Sequence, residues 1–178
     1  MFEIEDINRV IEGERIDLHN PRLSELWYRE NLYRDEKTMA FAENCKHEID
    51  QWPPKDTQEL KEWFIDNNSN MSNFYSYIIH RESRVPIGEV AIYYHTEFNK
   101  YMIHIIVEDR YRHRGFGTEA VSLLLEHVFK VMNLDAIYEI REPNRVEVKN
   151  LFRKLGFVIS EDDEELLWLT KREYNARR

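Results

Sequence analysis

The sequence predicts an α/β fold built on a mixed, mostly antiparallel sheet. Three observations carry that prediction. Segments rich in β-branched and aromatic residues at 75–80, 87–94 and 101–107 follow one another through short polar turns, the pattern of an antiparallel meander. A strongly periodic amphipathic helix then opens at Thr118, directly after the third strand and its loop. Strands and helices go on interleaving to residue 170, so the strand direction switches after residues 101–107.

Taken in order, residues 15–19 alternate and predict a first strand, ended by Asn20-Pro21. Residues 23–32 carry helical spacing with Leu23, Leu26, Trp27 and Leu32 on one side, and helical content continues over residues 35–41. Gln51-Trp52-Pro53-Pro54 breaks the chain. Asp56 or Thr57 then caps a helix that runs to about Asn67, with Leu60, Trp63 and Phe64 inward and a polar loop after it. The meander follows. The helix at 118–132 places Ala120, Val121, Leu124, Leu125, Val128 and Val131 on one face. Residues 136–140 are a short strand and Glu142-Pro143-Asn144 a turn. Residues 145–155 form an amphipathic helix stopped by Gly156, and strands 157–160 and 166–170 flank the acidic turn 161–165.

Composition narrows the function. The 178 residues suit a single domain, and 42% hydrophobic with 13% aromatic content is globular rather than disordered. A net charge of −9 disfavours direct nucleic-acid binding and suits a cationic substrate. No apolar run approaches a membrane span, and Met-Phe-Glu-Ile-Glu-Asp lacks a basic signal region, so a cytoplasmic protein without membrane contact is expected. Cys45 is the single cysteine, which excludes an internal disulfide and argues against a thiolate metal site.

The loop between strand 101–107 and its helix reads as an anion site. Backbone N–H groups at residues 112–118 and in the first helical turn lack intrahelical acceptors. Gly115 and Gly117 let the backbone approach a phosphate, and Arg112 and Arg114 add charge-assisted bonds. An ordinary glycine-punctuated turn is the plain alternative. Gly115-Phe116-Gly117-Thr118-Glu119-Ala120 also fits G-x-G-x-x-G/A, but the first glycine lies well past its strand, antiparallel-looking strands precede the unit, and Arg112-His113-Arg114 supplies cations where a dinucleotide turn relies on backbone. No G-x-x-x-x-G-K-S/T is present.

Arg112-x-x-Gly115-x-Gly117 resembles the acetyl-CoA motif Q/R-x-x-G-x-G/A of the GNAT N-acetyltransferases, and residues 150–157, Asn-Leu-Phe-Arg-Lys-Leu-Gly-Phe, resemble that family's closing L-Y-x-K-x-G-F. The likeness spans residues 14–171. Gly13-Glu-Arg-Ile-Asp-Leu and Pro86-Ile-Gly88-Glu-Val resemble the branch of ribosomal-protein N-terminal acetyltransferases and their small-molecule relatives. The resemblance implies a GNAT-like sheet with helices on both faces and acetyl-CoA as cosubstrate without a metal. It implies a cofactor site of Ile105, Ile106, Val107, Arg112, His113, Arg114, Gly115, Phe116, Gly117, Thr118, Asn144 and Phe152, with the Val107 N–H polarising the acetyl carbonyl. The partner would be a peptide or small-molecule amine, and a homodimer is allowed.

Acetyl transfer to an amine needs a base, since an ammonium has a pKa near ~10. Met102, His104, Ile106 and Glu108 share one face of their strand, and His104 titrates near neutrality, so it is a candidate base or an ordinary hydrogen-bonded strand histidine. Glu89 on the adjacent strand is either an amine-binding carboxylate or a solvated strand residue, and Glu108 a surface charge. Against the family pattern, Met102 stands where relatives in that branch carry glutamate. Phe152 stands in place of a tyrosine that protonates the leaving thiolate, Arg145 in place of Asn and Val148 in place of Ala or Ser; Asn144 is one residue off its place. Water, another group such as Tyr138, or no dedicated acid would then serve the thiolate. A non-catalytic acyl-CoA-binding regulatory module is the rival function.

Overall fold

The computed structural model describes residues 10–40, 57–69, 73–140 and 145–178. Its strands are β1 (Val10–Glu12), β2 (Ile16–His19), β3 (Phe74–His80), β4 (Val85–His95), β5 (Lys100–Val107), β6 (Ala136–Ile140), β7 (Val158–Ile159) and β8 (Leu166–Thr170). The helices are α1 (Trp27–Arg34), α2 (Glu36–Met39), α3 (Thr57–Ser69), α4 (Phe116–Lys130), α5 (Val146–Lys154) and α6 (Lys171–Ala176). One sheet of order β1-β2-β3-β4-β5-β6-β8-β7 contains every described strand, and only β5 and β6 run parallel. The mixed, mostly antiparallel α/β fold is the expected one. β1 and α6 carry too little periodicity to be legible in advance, and Asn144 and Cys45 lie outside the described residues.

The alternating strands bury both faces, each under its own helices. On one face α4, with Phe152 of α5 and Tyr174 of α6, covers Leu18, Ile78, Val90, Ile103 and Ile105. On the other, Tyr28 and Leu32 of α1 and Trp63 of α3 pack on Tyr75, Tyr77 and Ile106. Consecutive residues Ile105 and Ile106 thus belong to different cores, as a period of two demands.

Two helices differ from their sequence reading. α4 begins at Phe116 rather than Thr118, because Gly115 takes a left-handed conformation (φ 84°) as its N-cap. Phe116 and Phe129 join the core, whereas Val131 caps the helix and is 69% exposed. At the first helix, residues 23–25 form a 3-10 turn, and α1 turns Tyr28, Arg29 and Leu32 inward. Leu23 and Trp27, expected on the inner side, are exposed, Trp27 by 57%. The inward arginine follows from a buried carboxylate beneath it, described below.

A bulge in β4 shapes the end of β5. Ile79 pairs with Pro86 and Ile78 with Gly88, which leaves Ile87 extra, and its carbonyl accepts the Glu108 N–H at 2.9 Å. Gly88 lies opposite Val107, and a Cβ there would strike the Ile106 carbonyl oxygen. Only glycine allows that approach.

Candidate active site

The loop from β5 to α4 is held by side chains that leave residues 113–115 exposed. Arg112 donates through Nε to the Val107 carbonyl at 3.0 Å and through Nη2 to the Thr38 carbonyl at 2.6 Å. Its guanidinium therefore joins the end of β5 to α2, a different use from the phosphate contact expected of it. His113 adopts a left-handed conformation (φ 58°) and is exposed along with Arg114 and Gly115. Phe116 is buried against His80 and Tyr111, so its side chain anchors the helix and its main chain remains at the surface turn. The first intrahelical bond is Glu119 N–H to Gly115 O at 3.1 Å; the preceding N–H groups of Phe116, Gly117 and Thr118 point out of the helix end, as helix geometry requires.

A second clamp was not legible in the sequence. Glu119, in the first turn of α4, accepts the backbone N–H groups of Glu14, Arg15 and Ile16 at 2.8, 2.7 and 3.2 Å and the Arg15 Nε at 3.0 Å. Arg15 donates in turn to the Arg114 carbonyl at 2.9 Å and lies over the Phe116 ring. The glycine loop is thus pinned from the turn before β2.

Beside this loop β5 runs parallel to β6, with Met102 registered to Tyr138. Because Glu108 N–H points to β4, strand alternation turns the N–H and C=O groups of Ile105 and Val107 toward the β6 side. Gly117 faces this edge: a Cβ would meet Leu151, Ile105 and Val107 side chains at 3.2, 3.5 and 3.6 Å. A small pocket between β6 and α5 is lined by Glu139, Ile140, Arg145, Val148, Lys149, Phe152 and Leu167. Phe152 is fully buried there, edge-on to Phe157. Outward N–H groups at the N-terminus of α4 are the donors that a phosphate would require. No group of metal-ligating side chains occurs among the described residues.

The opposite face of β5 carries the titratable cluster. Glu89 on β4 is 0% exposed, which replaces the solvated reading, and its bulged strand turns it under α1. Its Oε1 accepts Arg29 Nη1 at 2.6 Å and the Tyr33 hydroxyl at 2.9 Å, and lies 3.3 Å from His104 Nε2; its Oε2 accepts the Tyr75 hydroxyl at 2.6 Å. Burial would raise this carboxyl, but Arg29, His104 and Tyr75 override it and hold it at about 2. The same burial and the anionic neighbour push the Tyr75 hydroxyl well up, so it stays a donor. Arg29 is 5% exposed, its guanidinium stacked near Trp63, Tyr33 and Tyr75 at 4.1, 4.7 and 5.1 Å. So saturated a carboxylate suits holding His104 better than capturing an amine. Glu108 is half-buried rather than a surface charge, accepting the Tyr28 hydroxyl at 3.0 Å and Arg110 Nε at 2.7 Å. Tyr138 packs beside Trp168 under Lys100, away from Phe152, which lies on the α4 side of the sheet. Arg29, Tyr33 and Tyr75 escaped the sequence reading; an arginine within the apolar stripe of α1, four residues before a tyrosine, was the available signal.

The acetyltransferase (GNAT) domain model matches residues 15–158. The uncharacterized N-acetyltransferase YnaD of Bacillus subtilis (strain 168) is 26% identical over 100 residues, a match that spans 56% of this chain and 59% of that protein. A GNAT-family acetyltransferase from Bacillus anthracis has TM-score 0.67 at 16% identity, over 93% of this chain and 100% of that one. A mutant form of the spermidine N-acetyltransferase SpeG from Vibrio cholerae has TM-score 0.71 at 16% identity, over 92% and 98%. At such identities the structural likeness concerns the fold; the family model, matched over most of the length and across the glycine loop, β5, β6 and α5, shows that the chain belongs to the GNAT acetyltransferase family.

Proposed function

We propose that the protein is an N-acetyltransferase that moves the acetyl group of acetyl-CoA to a primary amine, either a protein N-terminus, as in the ribosomal-protein branch, or a small-molecule amine such as a polyamine or aminoglycoside. The observation that carries this reading is the glycine loop at the start of α4 beside the end of β5, a strand that also carries His104 held on buried Glu89. Acetyl-CoA supplies the activated thioester. The loop N–H groups of residues 115–118 and the exposed Arg114 hold its phosphates, and the main chain of Ile105 and Val107 lines its arm, with the Val107 N–H at the acetyl carbonyl; Ile106, whose main-chain groups turn to β4, lends it none. His104, held through Nε2 on Glu89, takes the ammonium proton. The amine nitrogen bonds the acetyl carbon, the C–S bond breaks, and the thiolate leaves without a tyrosine hydroxyl; water relays to the sulfur the second proton lost by the nitrogen, which gives the amide and the free thiol. Holding both reactants on one strand supplies much of the rate through lost encounter entropy.

The reading places the protein in the cytoplasm, acting on an amine rather than on nucleic acid or a membrane; no described helix is long and apolar enough to cross one. Thiol release from acetyl-CoA, followed across polyamines, aminoglycosides and N-terminal peptides, tests it: amine-dependent release is expected, reduced about 10²–10⁴-fold in His104→Ala. A second reading, an acyl-CoA-binding regulatory module, draws on the fully buried Phe152. Tight acetyl-CoA binding without release on any amine favours it.

A further inference from the structure

Arg29 is the least expected feature of the acceptor side. Isolated buried charges are expensive, and a buried ion pair stabilises little compared with apolar residues of the same volume. Yet α1 drives a guanidinium inward while leaving Trp27 of the same helix exposed. The guanidinium sits among Tyr33, Trp63 and Tyr75, the surroundings that elsewhere capture a ligand cation. Here the chain fills that cage itself. Arg29 and His104 also meet on one atom, Oε1 of Glu89, with Tyr33 bridging them: its hydroxyl accepts from Arg29 Nη2 at 3.1 Å, donates to Glu89, and lies 3.5 Å from His104 Nε2.

We propose that Arg29 is a charge-balancing, positioning residue of the acetyl-transfer site: it cancels at His104 the field of the Glu89 carboxylate that holds the ring, so His104 is fixed in place yet stays neutral enough to accept a proton. The proposal rests on the reading of His104 as the base. Alone, a carboxylate at 3.3 Å would favour the imidazolium, locking the base in its protonated form near neutral pH. A cation alone would do the reverse. Among the described residues, the titratable groups on the same face are Tyr33 on α1, Tyr75 and Tyr77 on β3, Tyr93 on β4, Glu108 farther along β5 and Tyr138 on β6. Tyr33 and Tyr75 donate to Glu89 and Glu108 is paired with Arg110, so among these groups the Arg29–Glu89 pair brings the charge nearest the ring.

The test is a proton NMR titration of His104 in the full-length protein, assigned by its loss in His104→Gln, alongside the pH profile of thiol release. Arg29→Met should raise the His104 pKa by about one unit or more, Glu89→Gln should lower it by a similar amount, and the double variant should return it near the parent value. If Arg29→Met does not fold, Glu89→Gln decides by where His104 then titrates: clearly below the ordinary value of about 6.5 if the Arg29 field is left uncancelled, and near that value, overturning the proposal, if Arg29 exerts none. A His104 that titrates as in the parent in each folded single variant overturns the proposal. If the pKa moves as expected but the acid limb of the rate profile stays in place, the charge balance stands and His104 is not the base, which separates the two claims.

Discussion

Replacing Arg29 by Met strands a carboxylate inside the protein. Glu89 is 0% exposed and Arg29 5%, so water cannot take the guanidinium's place. The change removes the 2.6 Å charge-assisted bond and the stacking on Trp63, Tyr33 and Tyr75, while Glu89 keeps the Tyr33 and Tyr75 hydroxyls and His104. Breaking one side of a buried pair typically costs about 3–5 kcal/mol. The remaining donors set the expectation at the lower end, about 3 kcal/mol, out of a total stability of about 5–15 kcal/mol. For a domain of this size that lowers Tm by about 6–12 °C. Adding Glu89→Gln removes the stranded charge, so the double variant should be at least about 1.5 kcal/mol more stable than the sum of the single losses. Urea unfolding at pH 7, followed by far-UV circular dichroism, measures all four proteins. A loss below about 1 kcal/mol in Arg29→Met, or single losses that simply add, would refute the reasoning that the pair is held as charges.

Stability at low pH follows from the same carboxylate. Its folded pKa of about 2 lies below the ordinary 4.5, so its contribution is complete above pH 4.5 and disappears as pH falls toward 2; the stability of Glu89→Gln should be flatter across that window, by acid titration of unfolding. Gly117→Glu should abolish acetyl-CoA binding by calorimetry, since it puts a charged side chain beside Leu151, Ile105 and Val107, whereas Gly117→Ala needs only a few tenths of an ångström of movement and should keep the fold and its Tm. Arg114→Ala should weaken coenzyme A but not pantetheine, by up to about 1.5–3 kcal/mol if its bond to phosphate is well formed; Arg112→Ala, which frees the Val107 and Thr38 carbonyls, should weaken both and lower Tm. Phe152→Tyr should leave acetyl-CoA affinity unchanged and raise turnover where thiolate departure limits the rate; no gain, with a parent rate that falls at high pH, would indicate another acid.

What the sequence determined by itself is local. Glycines at 115 and 117 after an alternating strand and before a periodic helix specify the tight loop and the helix start, because turn geometry and helix-end donors depend on neighbours a few residues apart. The meander, α4, α5 with its Gly156 stop (φ 101°) and the switch to a parallel pair follow from the same short-range periodicities. Only the tertiary structure decided what long side chains do with their charge. Arg112 could equally reach a phosphate or a carbonyl, and the approach of Thr38, remote in sequence, turns it inward. Glu89 could be solvated or buried on its strand. Arg29, sixty residues away, settles that only because α1 folds across β4, and the cage that makes its burial affordable comes from three separate segments, α1, α3 and β3. Periodicity records which face of an element is apolar; it does not record which partner another element brings to a buried charge, and Arg29 is that partner for the carboxylate beside His104.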